Sequence, residues 1–278
     1  KIFHTFFISK SDTKAFKLGF FSYKMLSIII PAHNEEKRIS PTLEAYGDFF
    51  SKKLDKKNKG EKFEIIVVNN ASKDKTIEVI KKYSKKFKII RFLDLELGGK
   101  GYAVIEGIKS AKGDVVGFID ADMSTKPQDF YELYNNLNGH DGIIASRWIK
   151  GAKTERSLGK YIRSKGFNYL VRALFFLPYK DTQCGAKIFK KNRVIGFVNE
   201  IKSIKWAFDV NLLYFCKKNK LDVKEYPTVW EDKEGSKVSF KTPLQMAAGV
   251  IRLRLLYSPF KFIVKVYDKS PEVLKIHH

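Results

Sequence analysis

The chain has 278 residues, enough for one large α/β domain or two small ones, and 44% are apolar, which supports a sizeable core and argues against disorder. Its 53 basic and 30 acidic residues leave a net charge of +23, which calls for an anionic partner: nucleic acid, a membrane surface or a phosphorylated substrate. Two cysteines, Cys184 and Cys216, are too few for a disulfide framework or a structural zinc site, so a reducing, cytoplasmic setting is expected.

Residues 1–24 mix Phe and Ile with Lys, His and Ser and lack a signal-peptide cleavage pattern; they are read as an uncertain extension ahead of Met25. Residues 26–30 form an apolar run closed by Pro31, and Asn34, Glu35 and Glu36 open a helical pattern to about Phe50. After a lysine-rich loop over 51–62, residues 63–68 read as a second strand ended by Asn69 and Asn70. Ser72 to Asp74 then cap a helix to about Tyr83. A third strand over 89–93 leads through Gly98 and Gly99 into a helix over 101–111. Residues 115–119 are the fourth strand, and Pro127 starts another helix at its preferred first position. Repeated β-α units with apolar strands predict a mostly parallel sheet covered on both faces.

Ligands of such sheets bind beyond the carboxyl ends of the strands. Four polar clusters follow strand ends, at 31–36, 69–74, 98–101 and 120–124, and so converge on one edge. The last closes the run V-V-G-F-I-D-A-D over 115–122, where alternation in an extended chain points Asp120 and Asp122 the same way. Two carboxylates there suit Mg²⁺ or Mn²⁺, which use one or two carboxylates plus substrate phosphates. The run G-G-K-G at 98–101 is not a P-loop, because neither Ser nor Thr follows Lys100, and no G-x-G-x-x-G follows the first strand.

Beyond residue 146 the pattern changes. Residues 158–180 and 244–266 set Lys and Arg among Leu, Ile, Phe and Tyr, as helices in a membrane interface do. No uninterrupted apolar stretch approaches the roughly 20 residues that span a bilayer. The lysine excess is otherwise diffuse, without one basic face of interleaved stacking aromatics, so nucleic acid is not expected as a partner. One domain over 25–240 with a C-terminal membrane-proximal segment over 241–278 is the expected organisation.

The ordered set S-I-I-I-P-A-H-N-E-E (27–36), E-I-I-V-V-N-N-A-S-K-D-K-T (64–76), G-K-G-Y-A-V (99–104), D-A-D-M-S-T (120–125), A-S-R-W (145–148), D-T-Q-C-G-A-K-I-F (181–189), W-A-F-D-V-N-L-L (206–213) and G-S-K-V (235–238) resembles family 2 glycosyltransferases of the GT-A fold. More narrowly, it resembles dolichyl-phosphate β-glucosyltransferases and archaeal polyprenyl-phosphate glycosyltransferases, over about residues 25–240. The resemblance implies a Rossmann-like, mostly parallel sheet flanked by helices, with basic amphipathic helices at the C-terminal end. It further implies inverting transfer of glucose from UDP-glucose to dolichyl phosphate for protein N-glycosylation, by a peripheral protein on the cytoplasmic face of a membrane.

By the same resemblance Pro31, Ala32, Asn34, Glu35, Asn70, Ser72, Lys100, Asp120, Ala121 and Asp122 would bind the nucleotide sugar, with Asn70 against the uracil where the family usually has Asp. Asp120 and Asp122 would hold the metal, and Asp181 and Asp209 are the catalytic candidates, matching acidic positions able to orient sugar or acceptor, with Asp209 roughly where relatives that use hydroxyl acceptors have their catalytic base. A lipid phosphate is already anionic at neutral pH, so groups that position it matter more than a strong base. Arg147, Arg163, Ser236 and Lys237 are the candidates, arginine being suited to bidentate phosphate contacts. Mannose transfer from GDP-mannose, transfer of another UDP-sugar such as N-acetylglucosamine, and a catalytically silent nucleotide-sugar-binding protein are the alternatives.

Overall fold

The computed structural model describes residues 25–55, 62–155, 158–201, 207–231 and 242–264. Its first half alternates strand and helix: β1 (Met25–Ala32), α1 (Ile39–Asp55), β2 (Lys62–Asn70), α2 (Thr76–Lys86), β3 (Ile90–Leu95), α3 (Lys100–Ser110), β4 (Val115–Phe118) and α4 (Pro127–Asn135). Then come β5 (Gly142–Ser146), β6 (Lys153–Glu155), α5 (Leu158–Phe175), β7 (Lys187–Lys190), the single turn α6 (Lys191–Val194), α7 (Phe208–Lys218), β8 (Val223–Pro227), β9 (Val229–Glu231) and α8 (Thr242–Leu256).

Seven strands form one sheet in the order β3-β2-β1-β4-β7-β5-β8. All neighbours run parallel except β7, which is antiparallel to both β4 and β5. The short strands β6 and β9 pair separately. Alternation along the buried strands splits the core in two. Ile29, Ile66, Val68, Val116 and Phe118 pack on one face with α3, α5 and α7. Leu26, Ile28, Ile30, Ile65, Val67 and Val115 pack on the other with residues of α1, α2 and α4. Val250 and Leu253 of α8 are buried in the first cluster.

Two expectations at the sheet edge are corrected. The helix foreseen from Asn34 begins only at Ile39, because Asn34 takes a left-handed φ of 54° and uses its side chain elsewhere. The fourth strand stops at Phe118, and Asp122 lies in a turn whose next residue, Met123, has φ 61°. Left-handed conformations at Asn34, Ala71 and Met123 thus follow three adjacent strand ends. Non-glycine residues are uncommon there, and such strain gathers where a site demands a particular backbone path.

Candidate active site

The first two strand tips are laced together before any ligand is considered. Asn34 N donates to Ser72 Oγ (3.1 Å), and its Oδ1 accepts from Lys73 N (2.8 Å). Glu35 N donates to Thr76 Oγ1 (2.8 Å), Glu36 N to Asp74 Oδ2 (3.2 Å), and His33 Nδ1 to the Asn70 carbonyl (2.6 Å). Pro31 and Ala32 end β1 beside Val68 and Asn69 of β2. Asn70 is buried at the end of β2, and its Oδ1 has no hydrogen-bond partner among the described residues. A buried acceptor without a donor is costly, so this oxygen is suited to a ligand N–H.

Glu35 is gripped by Arg38 through two bonds, Nε to Oε2 (2.9 Å) and Nη2 to Oε1 (2.7 Å). Its pKa is nonetheless raised: burial outweighs the arginine, and the negative charges of Asp122 and Asp74 add to the effect. Asp122 Oδ1 accepts from Ser124 N (3.0 Å), and the buried Ala121 offers its carbonyl to Thr42 Oγ1 (2.7 Å). Asp120 lies against the backbone of Gly185, where a Cβ would stand 2.0 Å from its Oδ2. Only glycine leaves room for that carboxylate.

Asp120 begins a row of alternating charges. Lys100, the first residue of α3, places Nζ 2.7 Å from Asp120 Oδ1 and 3.5 Å from Asp209 Oδ2. The other Asp209 oxygen lies 2.7 Å from Nζ of Lys187, whose side chain is fully buried in β7 and also donates to the Cys184 carbonyl (2.6 Å). Close approach of α3 and α7 makes the row possible, since a Cβ on Gly101 would collide with the Phe208 ring at 2.5 Å. For Asp209, burial alone would raise the pKa, but the two lysines hold it below the ordinary carboxylate range. Burial lowers the Lys100 pKa, and the two aspartates more than reverse this.

A second buried pair lies beyond. Arg147 meets Asp181 bidentately, Nε to Oδ2 (2.7 Å) and Nη2 to Oδ1 (2.9 Å), and Arg147 N adds a bond to Oδ2 (2.9 Å). Gln183 N and Cys184 N both donate to Asp181 Oδ1 (3.1 Å). Burial would raise the Asp181 pKa, but Arg147 and these N–H groups hold it low. Glu225 accepts from Lys180 N and Asp181 N, and Asn168 accepts from Thr182 N and Oγ1, which fixes the loop.

Asp120, Lys100, Asp209 and Lys187 are therefore in contact, and Asn34, Ser72 and Glu35 share one laced edge. Arg163 is exposed on α5, outside these hydrogen-bonded groups. Ser236 and Lys237 lie outside the described residues, as do 1–24. Lys187, Asn168 and Glu225 carry much of the geometry and were not foreseen. The one signal was a lysine in the otherwise apolar strand A-K-I-F.

A mostly parallel sheet with polar tips around paired aspartates is the architecture of a GT-A glycosyltransferase, and a family model described as Glycosyl transferase family 2 matches residues 27–194. The chain belongs to that family. Dolichyl-phosphate beta-glucosyltransferase of Drosophila melanogaster is 36% identical over 248 residues, covering 84% of this chain and 75% of that protein. The Homo sapiens protein of the same name is 33% identical over 247 residues, covering 84% and 76%. Among solved structures, glucosyl-3-phosphoglycerate synthase from Mycobacterium tuberculosis in complex with Mn²⁺, UDP and glucosyl-3-phosphoglycerate shares the fold. Its TM-score is 0.61 at 18% identity, covering 92% of this chain and 86% of that one.

Proposed function

We propose that this protein transfers glucose from UDP-glucose to dolichyl phosphate, or a closely related polyprenyl phosphate, with inversion at the anomeric carbon. The observation that carries the reading is the site itself, in a chain similar over 84% of its length to dolichyl-phosphate beta-glucosyltransferases. Asp120 and Asp122, the orphaned acceptor of Asn70 and the buried Arg147–Asp181 pair belong to strand ends and loops along this sheet.

Pro31, Ala32, Asn34, Glu35 and Ser72 shape the nucleotide pocket in this reading. Asn70 Oδ1 accepts the uracil N–H, which an amide oxygen does as well as a carboxylate. Asp120 and Asp122 would hold Mg²⁺ or Mn²⁺. The fit rests on their partly exposed carboxylates and on the glycine at 185 that makes room for Asp120. Two carboxylates plus diphosphate oxygens are a common donor set for these ions. When bound, the cation supplies neutralisation of the charge that develops on the departing diphosphate.

The acceptor oxygen is anionic, so attack at the anomeric carbon needs alignment rather than deprotonation. Asp209, held ionised between two lysines, is a poor proton acceptor and serves to orient Lys100. Asp181 fixes the plane of Arg147, which positions the lipid phosphate in this reading; Ser236, Lys237 and the exposed Arg163 are the further candidates for that role.

Action at a membrane surface, on the cytoplasmic face, is part of the proposal. On α5, Ile162 and Tyr169 are exposed with Phe176 just beyond, seven residues apart, and Phe260, Phe262 and Ile263 are exposed after α8. Arg163, Lys165 and Lys261 stand among them, and neither segment 158–175 nor 242–264 contains an acidic residue. Apolar and basic side chains in that mixture suit an anionic lipid interface. Among the described residues, no helix is long and apolar enough to cross a membrane. The test is incubation with radiolabelled UDP-glucose, Mg²⁺ and dolichyl phosphate. A lipid-extractable β-glucosyl phosphate is expected, and label confined to water-soluble products would refute the reading.

A further inference from the structure

The cation that meets Asp120 in this structure is the ammonium of Lys100, at 2.7 Å from Oδ1. The same ammonium lies 3.5 Å from Asp209 Oδ2, at the outer limit of a hydrogen bond. Its two partners are not equivalent. Asp120 is 35% exposed at the mouth of the site, whereas Asp209 is 7% exposed and pinned from behind by Lys187. Lys187 cannot easily move, since it is fully buried, bonded to the Cys184 carbonyl and 5.6 Å from the centre of the Phe118 ring.

We propose that Lys100 is a displaceable counter-ion of Asp120 with a second berth on Asp209, so that entry of a divalent cation and transfer of the lysine are coupled. The inference rests on Asp120 and Asp122 being the cation ligands. A divalent ion at Asp120 repels an ammonium in contact with the same carboxylate. Asp209 Oδ2 then needs only to draw Nζ in from 3.5 Å to the ~2.8 Å of a charge-assisted bond. Gly101, packed on Phe208, anchors the root of Lys100 while its long stem lets the tip serve either carboxylate. In the free protein the lysine competes with the cation, and the diphosphate of an arriving nucleotide tips the balance. Cation binding is thereby tied to nucleotide binding.

Mn²⁺ binding, read from the electron paramagnetic resonance signal of the free ion with and without UDP, tests this. Lys100→Gln and Lys100→Met should each tighten Mn²⁺ binding without nucleotide by at least about tenfold, the size expected on removing a like charge at contact distance from a divalent ion. The gain on adding UDP should shrink in both. Asp209→Asn, which retains an acceptor for Lys187, should weaken Mn²⁺ binding in the wild-type background and change it little in the Lys100→Gln background. Unchanged or weaker binding in both Lys100 variants overturns the proposal. So does an equal effect of Asp209→Asn in the two backgrounds, because Asp209 would then act as a simple charge. If the wild-type protein binds UDP but no Mn²⁺ beside it, the assignment of the two aspartates as ligands fails instead, and the lysine transfer with it.

Discussion

Lys187 and Asp209 form an ion pair closed to water: Nζ lies 2.7 Å from Oδ1, with the lysine side chain fully buried and the aspartate 7% exposed. Removing Lys187 leaves the buried Asp209 with Lys100, at 3.5 Å, as its counter-ion. Lys187→Met should therefore lower unfolding stability by about 3 kcal/mol, the lower end for breaking a buried pair, measured by urea denaturation. The double variant Lys187→Met, Asp209→Asn should recover part of that loss. Equal stability of wild type and Lys187→Met would show that the pair contributes nothing.

Asp122 has a different character. It is partly exposed in a turn and bonded through Oδ1 to Ser124 N. Asp122→Ala should leave the thermal unfolding transition almost unchanged and lower turnover by at least ~100-fold, the scale on which lost electrostatic stabilisation of a transition state is felt. Retention of full activity would remove Asp122 from the cation site.

Asn70 offers a finer probe, because its buried Oδ1 lacks a donor. Asn70→Ala should weaken UDP binding by about tenfold, the value of one buried hydrogen bond. Asn70→Asp keeps an acceptor of the same shape and should bind UDP nearly as the parent does. Calorimetric titration distinguishes them, and unaltered affinity in the alanine variant would place the base elsewhere.

The Arg147–Asp181 pair gives stability a pH dependence of defined sign. The Asp181 pKa is depressed in the folded protein, so its contribution is complete above the ordinary carboxylate range and is lost as pH falls through the folded value. Asp181→Asn should be clearly less stable than wild type near neutrality, and the gap should narrow on acidification below about pH 4. A gap independent of pH would mean that shape rather than charge is what Asp181 supplies.

How much of this was legible in the chain depends on the range of each interaction. The first four strands announce themselves because apolar runs ended by polar residues have a local cause. Paired aspartates after an apolar run mark a candidate site for the same reason. α1 starts later than the sequence pattern predicts because Asn34, a good helix-cap residue type, spends its side chain on Lys73 N of another strand tip. The antiparallel insertion of β7 was not legible, since strand order is set by packing across the sheet. The role of Lys187 is illegible in the chain for a related reason. A lysine within an apolar strand is explained only by Asp209, 22 residues away in sequence and on another element.

Donor and acceptor are identified together by one measurement. Purified protein is incubated with Mg²⁺, dolichyl phosphate and, in parallel, radiolabelled UDP-glucose, GDP-mannose and UDP-N-acetylglucosamine, and the lipid extract is counted. Label is expected in the lipid phase from UDP-glucose, dependent on dolichyl phosphate and absent from the other two donors. Lipid-linked product from GDP-mannose or UDP-N-acetylglucosamine instead, or from no donor at all, would contradict the proposed function.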